Sequence, residues 1–512
     1  MVWLVVRTAG LLDQLWAFET DDAYITLRYA RHLAEGRGVV WNPGAATPVE
    51  GYSNFLFVLL GALAVKIGWP PLLVLKVVSV GGLFAGCAGL VAIGRRWLGW
   101  VGAALPPLIL TGIDGAILWT VSGLETAVYM ALVVGMAALV FRAIDPGRDG
   151  FLSPAQAPSG RLLVSASVLG FLAAITRPEG PLALILSALA LLMAFTPRLS
   201  ADAELSPEER RRIGRQALFA VVRLIAPFAV LYGGYTAWRL AHFGQLLPNT
   251  VHCKAAYDGD PLVLVEGFWR TAWPLLVCSS LALRRLEFRH VLLWGLPVIY
   301  VAILFGVDPI IGYANRHFLP ALALLSVTAV VGLVQGAEAA VGSRAPRQVL
   351  ELMVVVGWLA VTASPRQVIP ATLDAFVAGY GDRMELRREV GQWLEGQLGP
   401  EDTYLIGDAG RIPFITTAKV LDAFCLNSAA TTRDPINNDP SRFVEYAFDQ
   451  QPEMMVVHSR LPDALSPRPE YGIYPRLLAH PRFVQEYEYV RRFARPTGEF
   501  HYFVFRRKVR GG

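Results

Sequence analysis

The residues best suited to chemistry are an acidic pair, Asp21-Asp22, directly after the first hydrophobic segment. The following stretch sets Ala23, Leu27, Ala30 and Ala34 along one helical face and Arg28, Arg31, His32 and Glu35 elsewhere. That pattern predicts an amphipathic helix lying along a membrane surface. One carboxylate at its start is enough to cap the helix or to complement its dipole. The other is spare, and a carboxylate within hydrogen-bond reach of a hydroxyl can remove its proton as a general base. From the residues alone, cap and base are equally open roles.

Further polar residues interrupt apolar runs. The Asn42-Pro43-Gly44 turn leads to Val49-Glu50-Gly51-Tyr52-Ser53-Asn54, which offers Glu50 and Tyr52 but also suits a structured loop with Tyr52 at headgroup depth. Glu125 precedes an apolar run, and Thr176-Arg177-Pro178-Glu179-Gly180 makes a sharp turn between two others. Arg177 could hold a phosphate through its planar guanidinium, pair with Glu179, or snorkel to lipid headgroups. Lys254 and Arg316 add positive charge, with His252 and His317 beside them. Positive charge at these positions suits a leaving phosphate, on which negative charge grows as its bond breaks. Gly407-Asp408-Ala409-Gly410 reads as a strand-end turn, too weak for a dinucleotide fingerprint.

These residues must be positioned by membrane helices. The chain is 54% hydrophobic and 17% charged, against about 25% charged in an average soluble domain. Candidate spans are 1–18, 72–94, 98–113, 124–143, 161–175, 180–196, 217–238, 266–283, 290–306, 318–338 and 349–364, about eleven in all. Residues 1–18, broken by Arg7 and Asp13, lack the cleavage site of a signal peptide. The short tract 53–68 reads as an interfacial helix. That choice gathers Arg95-Arg96, Arg142, Arg210 to Arg212 and Arg344 on one side, which the positive-inside rule makes cytoplasmic. The N-terminus is then cytoplasmic, and the first loop, 19–71, lies outside with the other candidate residues. Ionisable groups at span ends are costly unless solvated or paired, so their convergence marks a candidate site.

The chain divides near residue 365. Residues 1–365 form the transmembrane module. Residues 366–512 carry no span and read as an α/β domain on the outer side, with a helix from Met384 to Leu398. Its expected strands are Tyr404-Leu405-Ile406, Val420-Leu421, Met454 to Val457 and Phe500 to Phe505.

The composition also excludes several classes. The net charge of +5 comes with no basic stripe interleaved with aromatics, so nucleic acid is not an expected partner. The eight histidines are scattered, and no metal site is expected. Cys87, Cys253, Cys278 and Cys425 show no paired spacing.

Several motifs together resemble the bacterial GT-C glycosyltransferases, in particular the mycobacterial terminal β-(1→2)-arabinofuranosyltransferase family. They are the run from Asp21 to Ala30, Gly36 and Gly38 before Asn42-Pro43-Gly44, and Val49 to Asn54, then Ser122 to Thr126, Thr176 to Gly180, Pro248-Asn249-Thr250 with Lys254, Arg316 to Pro320, and Gly407 to Gly410. The first-loop motif is fairly specific, the later ones are individually weak, and together they follow in order along nearly the whole chain. The resemblance implies a polytopic α-helical enzyme of the bacterial inner membrane. Its donor would be a polyprenyl-phosphate sugar, its acceptor an envelope glycan or lipid, and the anomeric centre would be inverted. It implies that Asp21 or Asp22 is the base, that Arg177 and Lys254 contact the donor phosphate, and that Glu125, Tyr52 and His252 line the sugar site. No cofactor is expected; a divalent metal is not required, although an acidic pair could bind one. Two rival readings are a lipid-linked sugar transporter, which would predict inverted repeats and mid-span charges, and a non-catalytic envelope assembly protein.

Overall fold

The computed structural model describes residues 2–144, 157–195, 206–255, 261–284, 291–304, 312–341, 346–362, 371–428, 440–467, 473–495, 498 and 500–508. Four helices α1 (Val2–Leu15), α2 (Asp21–Ala34), α3 (Phe55–Lys66) and α4 (Pro71–Gly94) open the chain. Helices Thr126–Ile144, Gly160–Thr176, Gly180–Met193, Pro207–Phe243, Pro261–Ser280, Val291–Leu304, Leu319–Val341 and Arg347–Thr362 follow the expected apolar runs. Among the described residues, four helices are long and apolar enough to cross a membrane: Pro71–Gly94, Thr126–Ile144, Pro207–Phe243 and Arg316–Ala340. Shorter apolar helices accompany them, including Gly160–Thr176 and Gly180–Met193. The chain is a multi-pass membrane protein.

Some elements depart from expectation. The run 98–113 is broken into Trp100–Ala103 and Leu105–Thr111, because Pro106 and Pro107 cannot sit inside a continuous helix. Another helix, Asp114–Val121, occupies what reads as a loop. The expected span 217–238 lies inside a 37-residue helix, Pro207–Phe243, about 55 Å long at 1.5 Å per residue. Its start is fixed by a capping box between Ser206 and Glu209, and its end by Gly244 in the left-handed conformation. The 12 residues of α3 reach only about 18 Å, short of a hydrocarbon core of about 30 Å.

The C-terminal domain begins with helix Ala371–Glu395, longer than the expected 384–398. Strands β1 (Thr403–Ile406), β2 (Lys419–Asp422), β3 (Met454–Ser459), β4 (Tyr487–Phe493) and β5 (His501–Arg507) form one sheet in the order β2-β1-β3-β5-β4. β1 is parallel to β2 and β3, whereas β5 runs antiparallel to β3 and β4. β3 is buried along its whole length, as its unbroken apolar run requires.

Helix α2 does not present its polar face to water. Its expected apolar face packs on α3, and the C-terminal domain covers the opposite one. Arg28, fully buried, donates to the carbonyls of Trp41 (3.0 Å), Thr416 (3.1 Å), Ala418 (3.1 Å) and Pro413. Arg31 donates to Phe414 O at 2.7 Å and Thr416 O at 3.1 Å. Carbonyls near the end of helix Arg411–Ile415 thus find donors, and cations sit at the negative end of its dipole. A face that reads as solvated is an interface.

Candidate active site

A cavity of about 260 Å³ lies between the membrane module and the C-terminal domain. Asp21, Asp22, Tyr52, Asn54, Glu125 and Thr250 line it from one side, and Tyr380, Arg387, Gly407 to Ala409 and Phe424 from the other. It combines apolar walls with a few convergent polar groups, the usual make-up of a small-molecule site.

The cap reading of Asp21 does not hold. Thr20 occupies the N-cap position of α2, no side chain makes a capping bond there, and Asp21 is the first helical residue. The Asp21 carboxylate turns to the C-terminal domain instead. The Arg411 amide donates to Asp21 Oδ1 at 2.8 Å, and Arg387 Nε lies 3.3 Å from the same oxygen. The backbone N–H of Asp21 donates to Tyr380 Oη at 3.4 Å. Burial raises the Asp21 carboxyl from its ordinary 3.8 to about 6, against the pull of Arg387 and with a push from the charges of Asp408 and Asp22. Asp22, half-buried, also faces the cavity.

Glu125 faces the same cavity under opposite electrostatics. Arg177 Nη1 donates to Glu125 Oε1 at 2.8 Å, Arg316 Nη2 to the same oxygen at 3.2 Å, and Asn54 Nδ2 to Oε2 at 3.0 Å. Burial pushes the Glu125 carboxyl up, but the two arginines outweigh it and hold the group down at about 2. Thr26 Oγ1 donates to Asn54 Oδ1 at 2.9 Å, so α2 is tied to this cluster. Asn54 is the bridging residue that sequence reasoning passed over; its place in the Tyr52-Ser53-Asn54 run was the available signal.

Other expected residues are placed as follows. Arg177 stands behind Glu125, shared with Glu179 (2.5 Å) and the His317 ring (2.8 Å). Arg316 lines the cavity, with its guanidinium 5.2 Å over the Trp119 ring. Glu50 is buried in a cluster with Arg239, whose Nε is 3.0 Å from Glu50 Oε2, and with Tyr235. Burial raises the Glu50 carboxyl to about 7 against the opposing charge of Arg239. His252 is exposed on the helix Asn249–Ala255. The side chain of Lys254 lies outside the described residues. Among the described residues, no cluster of three or more His, Cys, Asp or Glu could hold a metal ion.

Two of the four cysteines are paired. Cys253 and Cys425, 172 residues apart, form a disulfide. The pairing has no sequence spacing to betray it, because folding brings Asn249–Ala255 against the loop after β2. Asn249 Nδ2 donates to the carbonyls of Cys425 and Leu426, each at 2.9 Å, at the same seam. Gly51 is required there, since a Cβ would overlap Asn427 Oδ1.

A family model described as a domain of unknown function, DUF8728, matches residues 375–505. No curated protein matches the sequence. Solved structures do match the fold. ArnT from Cupriavidus metallidurans, bound to undecaprenyl phosphate, superposes with a TM-score of 0.56 at 14% identity, covering 98% of this chain and 97% of that one. The oligosaccharyltransferase AglB from Archaeoglobus fulgidus, in complex with an inhibitory peptide and a dolichol-phosphate, gives 0.53 at 14% identity, over 98% and 73%. The mycobacterial arabinofuranosyltransferase AftD gives 0.54 at 14% identity, covering 98% of this chain but 41% of its own. The chain has the fold of the GT-C membrane glycosyltransferases.

Proposed function

We propose that this protein is a membrane glycosyltransferase that takes a sugar from a polyprenyl-phosphate donor and inverts its anomeric carbon, with Asp21 as the general base. The acceptor is a hydroxyl of an envelope glycan or lipid, and arabinofuranose is the sugar that the first-loop resemblance names. Asp21 takes the proton of the acceptor hydroxyl as its oxygen bonds to the anomeric carbon. The bond from that carbon to the phosphate oxygen breaks, and its electron pair leaves with the polyprenyl phosphate. The observation that carries this reading is the buried, cavity-facing carboxylate of Asp21, raised to about 6, where a base is both ionised and basic near neutral pH. Two of the proteins with this fold were solved with a polyprenyl phosphate or dolichol-phosphate, which supports the donor class.

The site is proposed to face the outside of a bacterial inner membrane. The disulfide Cys253–Cys425 supports that placement, because such bonds persist in oxidising compartments. It also ties the C-terminal domain to the same side as Asn249–Ala255. Arg177, Lys254 and Arg316 are the proposed neighbours of the donor phosphate. Arg177 is engaged by Glu125, Glu179 and His317, so contact with a phosphate would require exchange of one partner.

Purified protein supplied with polyprenyl-phosphate sugars and glycan acceptors tests the assignment. Transfer is expected from wild type, with loss in Asp21→Asn and a milder deficit in Asp22→Asn. Full transfer by Asp21→Asn, with loss in Asp22→Asn, would reverse the assignment. No transfer from any lipid-linked donor would refute the activity.

A further inference from the structure

The C-terminal domain enters the site through two elements that both end on Asp21. Arg387 projects from helix Ala371–Glu395 and lies between carboxylates, 3.3 Å from Asp21 and 3.4 Å from Asp408. Its own position is fixed by the Phe500 ring, 4.5 Å away, and by Met384 Sδ at 3.9 Å. Asp408 is fixed in turn by the Tyr502 hydroxyl of β5, which donates to it. The second element is the turn Gly407 to Arg411, at the carboxyl end of β1. Its Arg411 amide donates to Asp21 at 2.8 Å. Gly410 is where this turn meets the carboxylate: a Cβ there would overlap Asp21 Cγ, Oδ2 and the backbone oxygen. Close approach of the turn to the carboxylate is thus what this glycine provides.

We propose that the C-terminal domain completes the site by positioning Asp21, with Arg387 and Asp408 as positioning residues and Gly410 as the contact that admits the turn. The proposal rests on the reading of Asp21 as the base. It gives the residues 375–505, which match a domain of unknown function, a defined part in the site. Three charges of alternating sign, Asp21, Arg387 and Asp408, are each almost wholly buried, so each strongly affects its neighbours. Arg387 stabilises the ionised form of Asp21, while Asp408 disfavours it and competes for the same guanidinium. The other charged or titratable groups around Asp21 are Asp22 and Tyr24 on α2, Glu19 before it, Tyr380 on the domain helix, Arg411 on the turn and Tyr502 on β5. Arg411 is paired at 2.5 Å with Glu19.

Two readouts on the full-length protein separate this proposal from the activity on which it rests. The first needs no substrate: modification of Asp21 by a hydrophobic carbodiimide, which attacks the protonated carboxyl, is followed against pH by peptide mass spectrometry. Asp408→Asn is expected to move the midpoint down and Arg387→Gln to move it up, each by roughly one pH unit. Arg387→Lys keeps the charge but not the planar fork and should give a smaller upward shift. Gly410→Ala should raise access to Asp21 by lifting the turn. The second readout is the acid limb of kcat/KM for sugar transfer, which should move with the labelling midpoint. If Arg387→Gln does not fold, the near-isosteric Asp408→Asn still gives the sign. Midpoints that stay put in both variants, or move the same way, would overturn the proposal even if transfer is observed. Opposite shifts in labelling without transfer by wild type would uphold the positioning role and refute the glycosyltransferase reading.

Discussion

Asp21 and Glu125 are both buried carboxylates facing one cavity, yet their surroundings drive them apart. Glu125 receives two guanidinium groups and an amide, and is held at about 2. Asp21 has one arginine, which it shares with a second carboxylate, and is raised to about 6. Groups whose environments separate their proton affinities divide the labour of a site. Glu125 is a fixed anion that orders Arg177 and Arg316. Asp21 is the group that can take and release a proton near neutral pH.

Truncating Glu125 should break the contrast most severely. Glu125→Ala leaves Arg177 and Arg316 without their shared buried partner and is expected to cost about 3–5 kcal/mol, seen as a large drop in Tm in detergent. Asp21→Asn should do the reverse. Transfer falls by roughly 100-fold or more, while Tm is unchanged or higher, because a raised carboxyl is costly to ionise where it sits.

Loss of the disulfide should be milder. Cys253→Ser or a reductant is expected to remove about 2 kcal/mol of stability and to loosen the wall formed by Thr250 and Phe424. A raised KM with little change in kcat would locate its effect at that wall.

The two carboxylates should also give pH dependences of opposite sign. Glu125 lies at about 2 in the folded protein, below its ordinary 4.5. Its stabilisation is therefore present above 4.5 and lost as pH falls toward 2. Asp21 lies above its ordinary 3.8, so the folded form holds its proton more tightly, and stability declines as pH rises from about 4 to 6. Tm scans of wild type against Asp21→Asn should show this decline only in wild type.

Much of the site was legible because its residues sit in short motifs. Asp21, Glu125, Arg177 and Arg316 all read as unusual polar residues at the ends of apolar runs, and three of them meet in one cluster. Strands with unbroken apolar runs, such as Met454 to Val457, were equally plain. β4 was not, because Glu488, Arg491 and Arg492 make it a charged and exposed edge strand. The amphipathic pattern of α2 marked its apolar face but could not tell water from a covering domain on the other. Arg387, over 360 residues from Asp21, and the Cys253–Cys425 bond depend on packing between distant segments, which no local spacing records.

The division between proton acceptor and fixed anion is tested most directly by the pH profile of kcat/KM for transfer from a polyprenyl-phosphate sugar. Wild type should show a single acid limb with a midpoint near 6, and the residual activity of Asp21→Asn should lack it. Activity that stays flat down to pH of about 4, or a limb that survives in Asp21→Asn, would contradict the assignment of Asp21 as the base.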